Sequence, residues 1–286
     1  MSTVNPSNPV LSWGQAFGFD GFGNLLSETP TAGSAPRLSM TVNSATNQLT
    51  GTGVQYDANG NLINNGSTPF SFDLMGRMKT AGSYSYTYSP GENKRIAVSP
   101  ATTAMTFYLY GPDGKRLGVY PATAANGNWN WTNIAQLPAQ TFQYLGGKAL
   151  NYGEDRLSSN GNRYYPYGQA YNGTAPGAEM PAFGTYVPDQ GSGMLYADQR
   201  YYNAAWGRFV TPDPSDRNID PMVSGSWNRF ALGGVGVAVL GVAGGAELYS
   251  AYAGEATPFA IPGHVIAGIT LLADVGVGGW YWWSCT

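Results

Sequence analysis

The chain has one cysteine, Cys285, and one histidine, His264. A lone cysteine excludes an intrachain disulfide, so folding does not depend on an oxidising compartment. A lone imidazole removes most metal-site and triad chemistry, because such sites need several histidines or one positioned by neighbours. His264 lies in an apolar stretch and reads as a hydrogen-bonded interior residue. Charge is scarce as well: 11% of residues are charged, 14 basic and 17 acidic, with no basic run. The electrostatic footprint of a nucleic-acid-binding protein is therefore missing. Residues 1–20 carry neither a basic segment nor an apolar run, so no signal peptide is visible. Neither a cofactor nor a metal is expected.

Turn formers and aromatic residues are abundant instead. Glycine (40) and proline (19) accompany 14% aromatic residues, a balance that suits short strands joined by turns and not a disordered chain. At 286 residues the chain has room for one or two domains.

The first half repeats one pattern. Phe19-Asp20-x-x-Gly23-Asn24-Leu25, Tyr56-Asp57-x-x-Gly60-Asn61-Leu62 and Phe72-Asp73-x-x-Gly76-Arg77-Met78 are three copies. Segments beginning at Tyr88 and Tyr110 are worn versions. Tyr56, Phe72 and Tyr88 are each 16 residues apart, and short-period self-similarity marks a repeat architecture. In each unit the aromatic residue ends a strand and Asp closes an Asx-type turn. Gly then takes the positive-φ position and the apolar residue begins the return strand. Tyr84-Ser85-Tyr86-Thr87-Tyr88 alternates with period two, placing three rings on one face of a sheet. Asp57-Ala58-Asn59-Gly60-Asn61 echoes the start of a calcium loop, but Thr68 stands where the bidentate Glu belongs, and the segment reads as a turn.

Pro121–Gln140 reads as a loop carrying a hairpin at Trp129-Asn130-Trp131. That Trp pair suits a hairpin's buried face or, alternatively, a sugar-stacking surface shared with Tyr84 and Tyr86.

The stretch 183–214 is dense in aromatic residues cut by turn formers, as in tightly wound antiparallel strands. Its segments Gly193-Met194-Leu195-Tyr196, Gln199-Arg200-Tyr201-Tyr202-Asn203, Gly207-Arg208-Phe209 and Pro212-Asp213-Pro214 resemble the RHS repeat-associated core motif. Asp155-Arg156-Leu157 followed by Arg163-Tyr164-Tyr165-Pro166-Tyr167-Gly168 resembles the segment that precedes it. The Tyr-Asp units are similar to YD repeats, whose hairpins spiral into hollow β-shells in RHS proteins and toxin-complex C subunits. The resemblance spans residues 13–230. It implies a mainly β fold in which Tyr196, Arg200, Tyr201, Tyr202, Trp206, Arg208 and Phe209 pack the core motif. It also implies a structural role at the end of a shell that encloses or presents a C-terminal effector, in an exported, secreted or cell-surface protein. An upstream YD-repeat shell and that effector segment would be the partners.

In many RHS proteins the core acts as an aspartyl autoprotease. Here the candidate is Asp213, with Asp198 or Asp220 as partner carboxylates. Pro212 stands before Asp213 where a polar or basic residue is usual. The Asp-Pro-x-Gly cleavage signature expected after Trp227-Asn228-Arg229-Phe230 is missing, and Asp220-Pro221 has Val223 in place of the Gly. The expectation is a chain that is not an enzyme and whose Asp-Pro pairs shape turns.

Beyond residue 230 the composition changes. Residues 231–286 hold 12 glycines and the acids Glu247, Glu255 and Asp274, without Lys or Arg. Two uncharged runs approach the length of a membrane span, and Trp280-Tyr281-Trp282-Trp283 suits an interfacial belt. A helical hairpin contacting membrane, a helical plug on the shell and a truncated end with no evolved role are the competing readings. The expected divisions are 1–150 (YD-repeat sheet), 151–230 (core motif) and 231–286 (apolar helical tail).

Overall fold

Each of the three Asp-x-x-Gly segments closes a hairpin with the same geometry in the computed structural model. The structure describes residues 2–3, 13–91, 94–101, 104–125, 128–130, 140–145, 148–151, 154–155, 163–171, 182–214, 224–232, 238–242 and 245–249. Asp20, Asp57 and Asp73 donate their backbone N–H to the carbonyl four residues on, at 3.1, 2.9 and 2.9 Å. Gly23, Gly60 and Gly76 return an N–H to the Asp carbonyl and sit at φ 73°, 84° and 74°. One carboxylate oxygen of each Asp accepts from two backbone N–H groups. The other accepts from the side chain of Asn24, Asn61 or Arg77, at 2.8, 2.9 and 2.7 Å. The residue at the end of the motif is therefore not incidental, because it completes the turn. At Asp73 burial opposes ionisation, but the N–H and guanidinium of Arg77 and the N–H of Met75 hold the carboxyl below its usual range. Leu25, Leu62 and Met78 begin the return strands and are buried.

The worn copies show what the motif can lose. At the Tyr110 copy, Gly111 takes the Asp backbone role and Asp113 accepts from the Lys115 N–H. Tyr165-Pro166-Tyr167-Gly168-Gln169 makes the same pair of turn hydrogen bonds, at 2.8 and 2.9 Å, with no Asp at all. Pro166 presets φ for a turn of this kind.

The chain divides into two compact units, each drawn from separated stretches. One comprises Thr52–Asn162 and Thr174–Tyr202; the other comprises Met1–Gly51, Arg163–Gly173 and Asn203–Thr286. These bounds differ from divisions at 150 and 230. The Tyr165 hairpin joins the strands of the first repeat, while the first part of the core motif joins the later repeats.

The unit containing Thr52 is built on a ten-stranded antiparallel sheet, a meander from Phe70–Phe72 to Glu154–Asp155 with Asn128–Asn130 paired off its path to Arg116–Ala125. A hairpin of Val54–Tyr56 and Leu62–Asn65 precedes it. Along Tyr84–Tyr88 the tyrosines are buried or half-buried and Ser85 and Thr87 are exposed, as period-two alternation requires. Val187–Asp189, Met194–Ala197 and Arg200–Asn203 of the core motif pair in chain order.

The unit containing Trp13 holds the strands Ser2–Thr3, Trp13–Phe19, Leu25–Ala32 and Leu38–Ser39, paired in that order. Trp13, Ala35, Tyr165 and Tyr171 form one buried cluster of this unit, with Tyr165 edge-on to both Trp13 (5.1 Å) and Tyr171 (5.2 Å). The described part of the tail departs from the helical expectation. Ala238–Val242 and Gly245–Tyr249 pair as an antiparallel hairpin. Glycine weakens helices by about 1 kcal/mol per residue, and the valines favour strands. The remainder of the tail lies outside the described residues, among which no helix is long and apolar enough to cross a membrane.

Candidate functional site

Among the described residues of the unit containing Thr52, Arg95, at the start of the strand Arg95–Ala101, is a heavily engaged polar group. Its side chain is 1% exposed and pairs with Asp189, 2% exposed, at 2.6 Å. Four tyrosine rings surround the guanidinium, with centroids at 4.2 Å (Tyr196), 5.3 Å (Tyr108), 5.5 Å (Tyr86) and 5.9 Å (Tyr201). Two of these rings come from sheet strands and two from the core-motif strands. The Arg95 backbone is held as well: its N–H donates to the Tyr196 hydroxyl at 2.8 Å, and its carbonyl accepts from the Tyr110 hydroxyl at 3.0 Å.

Asp189 is saturated by donors from both sides. Its Oδ1 takes the Arg95 guanidinium, and its Oδ2 accepts the Tyr86 hydroxyl (2.6 Å), the Ser192 hydroxyl (2.6 Å) and the Ser192 N–H (2.9 Å). Arg95 also donates to the Tyr201 hydroxyl at 3.1 Å. Gly191 makes the close approach sterically feasible, because a Cβ there would meet Tyr84 Cγ at 2.4 Å. Burial pushes the Tyr201 phenol up to about 12, against the pull of Arg95. Burial likewise raises Tyr86, Tyr88 and Tyr196 well above the ordinary tyrosine value. The phenols therefore stay protonated; Tyr86 donates to Asp189 and Tyr88 to the Met78 carbonyl, while Tyr196 and Tyr201 accept from Arg95. Closed charges of this kind hold elements together: breaking one side of a buried pair costs far more than the pair contributes net.

The unit containing Trp13 has a second polar cluster. Asn24, at the end of the first repeat, donates to both Asp20 and Asn47 at 2.8 Å and accepts from the Asn228 amide at 2.8 Å. Arg208 donates to the Asn47 carbonyl and lies 4.9 Å from the Phe230 ring centroid. The first Asp turn is thus tied to the segment after the core motif. Glu28 is buried nearby in the same unit. Its Oε2 accepts from Gln169 at 2.9 Å and from Gln15 at 3.5 Å. A cavity of about 280 Å³ beside it is lined by Ser27, Glu28, Thr29, Arg37, Leu38 and Ser39.

The residues singled out from sequence are distributed among these features. Tyr196, Tyr201 and Tyr202 are buried in the core-motif strands, and Tyr202 stacks on Phe183 at 5.9 Å. Arg200 and Trp206 are half-buried; Arg208 and Phe209 are buried in the other unit. Of the aromatic residues considered for sugar contact, Tyr84 is half-buried and Tyr86 is 6% exposed, with its hydroxyl committed to Asp189. Trp129 falls in the strand Asn128–Asn130, and Trp131 lies outside the described residues. Asp213 donates its N–H to the Arg229 carbonyl at 2.8 Å, and its own carbonyl accepts from the Arg229 guanidinium. Asp198 is exposed and pairs with Lys94 at 2.6 Å, while Asp220 lies outside the described residues. Arg95, Asp189 and Glu28 were not singled out. Asp189 looks like one more turn former in a Pro-Asp-Gln-Gly run, and nothing local marks an arginine as buried.

No family model matches the chain, and no curated protein matches it. Solved structures do. The crystal structure of TcdB2-TccC3-TEV aligns over 77% of this chain with a TM-score of 0.52 and 17% identity. In fold, the chain resembles part of these toxin-complex components. TcdB2-TccC3 without its hypervariable C-terminal region aligns over the same share, with a TM-score of 0.51 and 16% identity. The Photorhabdus luminescens Tc holotoxin pore carrying a mutant TccC3 gives 0.50 and 16%, again over 77%. The chain spans only 12–13% of the length of these structures.

Proposed function

We propose that the chain is a wall segment of a bacterial RHS/YD-repeat protein. It forms the end of a β-shell that encloses or presents a C-terminal effector. The observation that carries this reading is the clasp of Arg95 and Asp189, which fastens the core-motif strands to the meander of repeat hairpins. The ordered core-motif segments and the likeness in fold to TcdB2-TccC3 support it. The partners are then the preceding shell and the effector segment, in an exported protein. Electron microscopy of the protein expressed from its native reading frame tests this. A hollow particle with these strands in its wall is expected; a solid particle without a lumen would overturn the reading.

The role is structural, without self-cleavage, because the Asp-Pro-x-Gly signature is missing from the sequence. Intact mass of the purified chain is expected to be a single species, unchanged in Asp213→Asn. A fragment pair that disappears in Asp213→Asn would establish the protease instead. Glycan binding has less support, since Tyr86 gives its hydroxyl to Asp189 and packs against Arg95 and Tyr201.

A further inference from the structure

We infer that the cavity bounded by Ser27, Thr29, Arg37 and Ser39 binds a phosphate group, either the free ion or a small monoester.

Strand alternation decides which side chains reach it. Ser27 and Ser39 are cross-strand partners and share one face of the sheet, while their neighbours Glu28 and Leu38 are paired on the other. Thr29 stands two residues beyond Ser27 in the strand Leu25–Ala32, so period two returns it to the Ser27 face. Arg37 lines the same cavity, whose volume is about 280 Å³. The Glu28 carboxyl is turned away, toward Gln15 and Gln169. Gly18 keeps the Ser27 hydroxyl open. It lies opposite Ser27 in the strand Trp13–Phe19, and a Cβ there would meet Ser27 Oγ at 2.5 Å.

This face offers donors without acceptors. Among the described residues, the hydroxyls of Ser27, Thr29 and Ser39 make no hydrogen bond, and Arg37 makes neither a hydrogen bond nor an ion pair. Arg37 is the only basic residue within residues 1–51, whose acids are Asp20 and Glu28. Both acids are committed elsewhere: Asp20 to the amides of its own turn, and Glu28 to the two glutamines. Arg208 and Arg229 of the same unit donate to the Asn47 and Asp213 carbonyls, whereas the Arg37 guanidinium is left for an external anion.

The donor set selects phosphate. A guanidinium fork matches two oxygens of a phosphate with parallel N–H donors, and the remaining oxygens accept from hydroxyls. A planar carboxylate has only two oxygens and leaves part of the donor set unused. The volume lies near the lower end for small-molecule sites, about 300 Å³, so any organic part is small.

Amide chemical-shift titration of the full chain tests the site, with ionic strength held constant by sodium chloride. Inorganic phosphate is expected to shift the Ser27, Thr29 and Ser39 amides saturably. Arg37→Gln should weaken that binding at least about tenfold, and Ser39→Ala at least about threefold. Tighter binding of glycerol phosphate than of inorganic phosphate would assign the monoester, and the reverse order the free ion. Shifts that stay linear with concentration, that persist unchanged in both variants, or that acetate produces with equal affinity would overturn the inference. Should Arg37→Gln fail to fold, unchanged affinity in Ser39→Ala alone would do so.

Discussion

Arg95→Met is expected to destabilise the unit containing Thr52 by about 3–5 kcal/mol. The substitution keeps the bulk of the side chain and removes its charge. Asp189, whose side chain is 2% exposed, then remains buried without its ion partner. The rings of Tyr196, Tyr108, Tyr86 and Tyr201 also lose the cation they surround, a contribution of about 0.5–2 kcal/mol each where desolvated and far from additive. The loss would appear as a lower urea midpoint at unchanged slope. A midpoint within about 0.5 kcal/mol of the native chain would show that the cluster holds nothing together.

Gly207→Ala is the second large effect, expected at about 2–4 kcal/mol in the unit containing Trp13. Gly207 sits at φ 62°, and a Cβ there would lie 2.8 Å from Tyr167 Cδ1 and 2.9 Å from Leu25 Cδ2. The same substitution at Gly193 separates strain from contact. Gly193 has φ 68° but nothing within 4 Å of the added atom. Gly193→Ala should therefore cost about 1–2 kcal/mol, from backbone conformation alone. Equal losses at the two positions would mean that the approach of Gly207 to Tyr167 and Leu25 contributes nothing.

Much of the hairpin architecture could be read before any coordinates, because its causes are local. An Asp that accepts from amides two and four residues on, and a Gly that reaches positive φ, need no tertiary partner to form a turn. The alternation of Tyr84, Tyr86 and Tyr88 with Ser85 and Thr87 likewise assigns a buried face from period alone. The tie points were not legible, since they are set by pairs far apart in sequence. Arg95 and Asp189 are separated by 94 residues, and Asn24 and Asn228 by 204. A Pro-Asp-Gln-Gly run signals a turn whether or not its carboxylate is buried against an arginine. Tyr165–Gln169 shows the converse: the turn persists without the Asp that would announce it, because Pro166 and Gly168 supply the backbone geometry. The tail misled for a related reason. An apolar glycine- and valine-rich run suits a helix or a hairpin by hydropathy, and Ala238–Val242 pairs with Gly245–Tyr249 as a hairpin.

The tie between repeat sheet and core-motif strands is tested most directly by a double-mutant cycle on Arg95 and Asp189, using Arg95→Met and Asp189→Leu. Each single change strands one buried charge, whereas the double change strands none. A buried pair replaced by apolar residues of similar volume is often neutral in stability. The double variant is therefore expected to recover most of the about 3–5 kcal/mol lost in either single variant, with a coupling of at least about 2 kcal/mol. Losses that simply add, with coupling near zero, would contradict the clasp.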